Sequence, residues 1–191
     1  MKKLLTCAAF LLSMAVVISS CSDDDDPAPS GGSTTGFKFL AAGRTLTYSF
    51  QSPFFTDTVL TASFADLGGS VFTGTQTSLP NNDLAGMTYL KLCSGNIATG
   101  ETSTVDCANI WMKSSRNVGD IYTYLESGTD SASHEVIAKN VTVTVPAGTF
   151  TCDKMVYSDG FNVDTFYFSN DNFIIKYESP FVSYQLKSKN Y

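Results

Sequence analysis

Histidine is nearly missing from this chain, with one residue, His134, among 191. A lone imidazole and five cysteines without paired-ligand spacing leave little from which to build a metal cage. Charge is scarce too, at 16% of residues, and it leans acidic: 12 Lys and Arg stand against 18 Asp and Glu. The formal net charge is −6 and the pI is near 4.6. Nucleic acid is bound by basic faces, so it is excluded as a partner. No Walker-type or dinucleotide glycine loop occurs, nor a G-x-S-x-G nucleophile elbow, and no cofactor is expected. What is present is apolar matter: 43% hydrophobic and 13% aromatic residues, with a mean hydropathy of +0.02. Such a composition folds around a core, and the length suits one domain.

Residues 1–20 read as an export signal. Lys2 and Lys3 precede Leu4 to Ile18, an uncharged and mostly apolar run. The run is shorter than the ~20 residues a bilayer span needs, yet suits a secretory h-region. It ends Ile18-Ser19-Ser20-Cys21, which resembles the bacterial lipobox, whose cysteine is diacylated and becomes the mature N-terminus. An ordinary signal with an incidental cysteine is the plain alternative, and lipidation explains Cys21 better. Residues 21–36 then form an acidic run, Asp23 to Asp26, and a Pro/Gly/Ser-rich flexible tether. Acidic residues directly after the lipidated cysteine resemble the export signal of Bacteroidetes surface lipoproteins. That resemblance implies an outer-membrane lipoprotein exposed at the cell surface. Loss of residues 1–20 leaves 10 basic and 18 acidic residues, or −8. Without the four tether aspartates the globular part is near −4, ordinary solubility charge.

Residues 37–191 read as one all-β domain. Arg44 to Phe50 alternates polar and apolar with the period of a half-buried strand. Asp120 to Glu126 is β-rich but alternates less cleanly. Further β-rich runs are Thr58–Ala65, Ser70–Thr77, Met87–Cys93, Cys107–Lys113, Ser133–Val145, Thr149–Tyr157, Phe161–Ser169, Phe173–Glu178 and Phe181–Lys187. Turn residues separate them, among them Gly68-Gly69, Ser94-Gly95-Asn96, Asp159-Gly160 and Ser179-Pro180. No helical apolar stripe occurs after the signal. About ten strands on short connections predict a single curved antiparallel sheet, a barrel or half-barrel, with a sandwich as the alternative.

An extracytoplasmic address permits disulfides. Cys93 ends one expected strand and Cys107 starts another across a polar loop, so a bridge would cross-link a hairpin and stabilise it by ~3 kcal/mol. The alternative is two free buried thiols. Cys152 has no remaining partner and reads as a small buried hydrophobe.

Val141-Thr142-Val143-Thr144-Val145-Pro146-Ala147-Gly148-Thr149-Phe150, followed by Thr151-Cys152, resembles the VxVPAGTFxC hairpin of a family of bacterial lipoproteins and periplasmic β-proteins. Two flanking pieces agree with it. Phe39 to Tyr48 is similar to the family's opening strand, with Leu46 where tryptophan is usual. Tyr167 to Glu178 is similar to a later hairpin, with Asn170-Asp171-Asn172 replacing a glycine turn through residues that tolerate positive φ. The resemblance covers most of residues 37–178 and implies curved sheets like the half-barrels of lipoprotein carriers. It implies no reaction.

Catalytic candidates are thin. Ser133, His134 and Glu135 are consecutive on a strand and face opposite ways, so they cannot act together; His134 reads as a partly exposed strand residue. Paired carboxylates of a hydrolase leave no local signature. Phe54 and Phe55, after a Ser-Pro turn, are candidates for an apolar lip, or else for a plug over the core. Trp111, Tyr122 and Tyr124 are candidates for stacking a sugar, or else for packing. Asp57-Thr58-Val59 and Asp130-Ser131-Ala132 resemble Bacteroidetes O-glycosylation sites at Thr58 and Ser131. The expected function is a non-enzymatic, lipid-anchored binding or scaffolding module for an apolar ligand, a glycan or a protein partner. The alternative is a carboxylate-based hydrolase of envelope or dietary polysaccharide.

Overall fold

The computed structural model describes residues 36–53, 55–79, 86–127 and 130–191. The strands in the first half are β1 (Thr45–Ser52), β2 (Phe55–Gly68), β3 (Val71–Leu79), β4 (Gly86–Cys93), β5 (Asn96–Gly100) and β6 (Ile110–Met112). Those in the second half are β7 (Ile121–Ser127), β8 (Asp130–Val145), β9 (Gly148–Ser158), β10 (Val163–Ser169), β11 (Phe173–Glu178) and β12 (Ser183–Lys189). All twelve belong to one antiparallel sheet in the order β6-β5-β4-β3-β2-β1-β12-β11-β10-β9-β8-β7. Chain neighbours therefore pair throughout, save that β1 meets β12 in mid-sheet and β6 forms no ladder with β7. The sheet curls into a nearly closed barrel whose edges, β6 and β7, come side by side.

Side chains stitch that seam where a backbone ladder is missing. Leu125 N donates to Asn109 Oδ1 at 2.7 Å, and Asn109 Nδ2 donates to Leu125 O at 3.1 Å. One side-chain amide thus supplies both halves of a missing rung. Inside the seam, His134 Nδ1 donates to the Trp111 carbonyl at 3.3 Å, tying β8 to β6.

One end of the barrel is corked. The segment before β1 turns inward, and Phe37 and Phe39 are fully buried there. The Phe39 ring lies 4.8 Å from Phe173, 5.4 Å from Phe64 and 5.9 Å from Phe168 by centroid. Across the same end runs the β6–β7 loop, which drives Arg116 into the interior. Its Nε donates to Asp153 Oδ2 at 2.9 Å, and Nη2 donates to Asn170 Oδ1 at 2.8 Å. The guanidinium also lies 5.0 Å from the Phe168 ring centroid. Burying a charge is costly unless it is paired, and here every arm of the fork finds oxygen, the third being the Lys113 carbonyl.

The sequence foresees the sheet well and misses one strand. Where a polar loop is expected between Cys93 and Cys107, the chain forms β5, Asn96-Ile97-Ala98-Thr99-Gly100, whose residues do not alternate. They cannot alternate, because Ile97, Ala98 and Thr99 are all buried. The barrel core covers one face, and Val105 from the following loop covers Ala98 and Cys93 on the other. The expected Cys93–Cys107 disulfide is formed, with Cα atoms 5.6 Å apart. It does not clip a plain hairpin loop, since β5 lies between the two cysteines; it pins the 101–109 loop over β4 and β5. The expected strand over residues 107–113 shrinks accordingly to β6.

The hairpin quoted from Val141 to Phe150 is the β8–β9 turn, with Val145 opposite Gly148. Gly148 sits at φ +131°, where a side chain would be strained. Bulges between Val136 and Val141 bend this hairpin, and its tip reaches β12, where Ala147 N donates to Leu186 O at 3.1 Å. In the β10–β11 turn the positive φ falls on Phe173, at +63°, rather than on Asn170, Asp171 or Asn172. Phe173 pays that strain while packing its ring against the cork.

Candidate functional site

Above the cork the barrel is hollow. Inward positions alternate along the strands, and at two of them the side chain is too small to fill the space: Ala62 on β2 and Gly74 on β3. The result is a cavity of about 130 Å³, floored by Phe64, Phe173 and Trp111 and walled by rings from β7 to β12. Among the described residues it is left open toward the end opposite the cork, where the turns after β1, β9 and β11 lie. Two of those turns carry exposed apolar side chains, Phe161 at 85% and Phe181 at 47% exposure, with Val163 beside Phe161. Glycine in a strand interior commonly marks such a close approach or vacancy. A Cβ on Gly74 would meet Thr88, Phe64 and Leu90 at 3.5–3.7 Å, ordinary contact distance.

The walls are mostly carbon, with a few placed polar groups. His134 is only 3% exposed and is surrounded by rings, with centroids of Phe166 at 4.8 Å, Tyr124 at 5.0 Å and Tyr157 at 5.9 Å. Its Nδ1 faces a carbonyl and so carries the proton, leaving Nε2 to accept from the Tyr124 hydroxyl at 3.1 Å. Burial pushes its pKa down to about 3, opposed by the Trp111 carbonyl. It is therefore a neutral structural histidine inside the barrel, not the partly exposed strand residue expected. Burial rather than exposure follows from its inward register between the core residues Ala132 and Val136. So weak a base does not serve general-base chemistry near neutrality. Ser133 and Glu135 face away from it, as strand geometry requires.

Glu126, near the end of β7, lines the cavity at its mouth. Tyr157 donates to both carboxylate oxygens, at 2.9 and 3.1 Å. Partial burial raises the Glu126 pKa, the Tyr157 hydrogen bond lowers it, and nearby Asp159 and Asp130 raise it further. Asp159 is itself held low: burial pushes it up, but Asn162 and the backbone amides of Phe161 and Asn162 outweigh that. The phenols of Tyr124, Tyr157 and Tyr184 are all pushed up by burial and remain protonated. On the neighbouring wall, where Asp164 pairs with Tyr157 across the sheet, Tyr177 donates to the buried Asp164 and stacks on Tyr184 at 4.8 Å.

Of the expected site residues, the cavity brings together Trp111 and Tyr124. Tyr122 faces inward nearer the cork, buried, with Lys113 Nζ 4.9 Å from its ring centroid. None of the three forms an exposed platform. Phe54 and Cys21 lie outside the described residues, as does the side chain of Phe55, whose backbone opens β2 at the mouth. Thr58 pairs with Phe50 in β2, and its side chain is likewise outside the description. Ser131 is exposed on β8. Cys152 is buried, unbridged and raised to about 12, chiefly by burial, which makes it a poor nucleophile.

Sequence reasoning missed Glu126, Tyr157 and Gly74. The signal was available in β7, where Tyr122, Tyr124 and Glu126 share one face and Ile121, Thr123 and Leu125 the other. Ile121 and Leu125 are exposed on the outside of the barrel, so the usual apolar-in rule points to the wrong face here. Among the described residues no group of three or more potential metal ligands comes together. No protein-family model, no curated protein and no solved structure matches the chain, so the site is read from its geometry.

Proposed function

We propose that the chain is a non-enzymatic, lipid-anchored surface lipoprotein that takes a small apolar ligand into its barrel. The cavity carries this reading: about 130 Å³ of mostly carbon-lined space, open at one end and corked at the other. Apolar cavities of ~150 Å³ stay dry and accept a benzene-sized guest. A ring or short alkyl segment therefore suits the space, with the rest of a longer ligand emerging past Phe161 and Phe181. Burial of Trp111, Tyr122 and Tyr124 favours an apolar ligand over a glycan stacked on an open platform. The hydrolase alternative needs two acids facing one cleft, and among the described residues lining the cavity Glu126 is the sole carboxylate.

The anchor rests on Lys2, Lys3, the apolar run and Ile18-Ser19-Ser20-Cys21. The tether from Cys21 joins the fold at Gly36, beside Ser114 at the corked end. The mouth then lies at the pole away from the attachment point, placed to receive ligand from the surroundings.

Mass spectrometry of protein purified from its host tests both parts. Under native conditions a non-covalent adduct is expected, released on denaturation and lost in Gly74→Leu, whose side chain fills the cavity. A bare mass in the natural protein sinks the ligand reading. The denatured mass reports lipidation at Cys21 and any glycan at Thr58 or Ser131; an unmodified chain removes anchor and glycans alike.

A further inference from the structure

We infer that the ligand's polar end is cationic, an organic ammonium on an apolar body, and that Glu126 at the cavity mouth reads it. The inference rests on the apolar-cavity reading and narrows it to a ligand class. Glu126 lines the cavity and, among the described residues, accepts from one phenol, Tyr157. A carboxylate offers about four lone-pair sites, so further donors can be accommodated. No lysine or arginine lines the cavity among the described residues. The intervening stretches 80–85 (Pro-Asn-Asn-Asp-Leu-Ala) and 128–129 (Gly-Thr) contain none either.

The charges that act on Glu126 share its sign. Asp159 and Asp130 both act on it, and Asp159 is already saturated by Asn162 and two backbone amides. Asp159 thus adds negative potential without competing for the ligand. Among the described lining residues, His134 is the one that could bring positive charge into the cavity, and burial holds it neutral. Aromatic faces complete the arrangement, since Tyr124, Tyr157 and Phe166 crowd the same wall. Rings attract a cation through their quadrupole, and more strongly where water is excluded. An anionic head such as a fatty carboxylate meets repulsion at Glu126 and, among the described lining residues, no lysine or arginine to offset it.

Calorimetric titration of the purified full-length protein with three probes of one shape tests this: 2-phenylethylammonium, 2-phenylethanol and phenylacetate. The ammonium is expected to bind at least about tenfold tighter than phenylacetate, the size of a charge-assisted hydrogen bond. The neutral alcohol should fall between them. Glu126→Gln, which keeps the shape and an acceptor for Tyr157, should bring the ammonium's affinity down to the level of the alcohol's in the same variant. Retained alcohol binding also reports that the variant is folded. If the alcohol fails to bind the natural protein, the apolar-cavity reading falls and this inference with it. If the alcohol binds but phenylacetate matches or beats the ammonium, the cavity stands and the charge assignment is overturned. An ammonium preference that survives in Glu126→Gln removes Glu126 as its reader.

Discussion

At the corked end Arg116 enters the barrel and meets a carboxylate, a side-chain amide and a carbonyl. At the open end Glu126 enters the barrel and meets a phenol, with no lysine or arginine paired to it among the described residues. Both ends place a charge against aromatic rings. The first is neutralised within the chain and so ties the β6–β7 loop, β9 and the β10–β11 turn together. The second is left with spare acceptor capacity beside a hollow. A buried charge that is fully paired does structural work, whereas one only partly satisfied at the edge of a cavity is available to something that enters.

Removing Arg116 should break the corked end first. Arg116→Ala leaves Asp153 buried without its partner, and losses of this kind run about 3–5 kcal/mol. Urea denaturation reads it, and a loss below about 1 kcal/mol would show that the cork holds without the pair. Removing the charge at the other end, by Glu126→Gln, should barely move the same curve.

Acid sharpens the contrast. His134 has a folded pKa of about 3 against 6.5 for a free imidazole. Between those values the unfolded chain binds a proton that the folded one refuses. Stability is therefore complete above pH 6.5 and falls by about 1.4 kcal/mol per pH unit, levelling near pH 3. Glu126 acts in the opposite sense, since its raised pKa makes the fold favour its protonated form and returns some stability as acid titrates it. Denaturation midpoints across this range should show the slope in the natural protein and a much flatter line in His134→Gln. An unchanged slope would place the acid sensitivity elsewhere.

Reduction of Cys93–Cys107 should cost about 3 kcal/mol on the loop-entropy account. The cost should fall on the outer layer, with hydrogen exchange rising in β5 and the 101–109 loop before the cavity walls. Smallest of all, Gly74→Ala should change stability by less than about 1 kcal/mol, because its Cβ meets ordinary contact distances and restricts the unfolded chain. Strong destabilisation there would mean that the hollow is not slack.

The sequence made the sheet legible because most strands alternate and are punctuated by turn residues. β1 is the plainest case, its inward Leu46, Tyr48 and Phe50 interleaved with polar neighbours. β5 escaped because both its faces are covered, which removes the alternation that marks a strand. The site was harder to see. Trp111 and Tyr124 could be named as candidates because aromatic residues stand out singly. Glu126 could not, since its importance lies in the strand-end register that aims it into a cavity and in Tyr157, 31 residues away. Gly74 is legible only once its neighbours across β2 and β4 are known, because a vacancy is defined by what surrounds it.

The pairing of β1 with β12 has a consequence for how the molecule comes to exist. Thr45 N and Asn190 Oδ1 bond across 145 positions of sequence, while nearly every other strand pairs with its immediate successor. During folding, β1 to β6 can zip together in order, yet β1 keeps one row of backbone groups unsatisfied until β12 docks. That open row is a template for the wrong partner, and the wait lengthens with every residue between them. The barrel is thus closed in mid-sheet by its last strand, and a chain truncated before β12 would present that row of β1 to other chains.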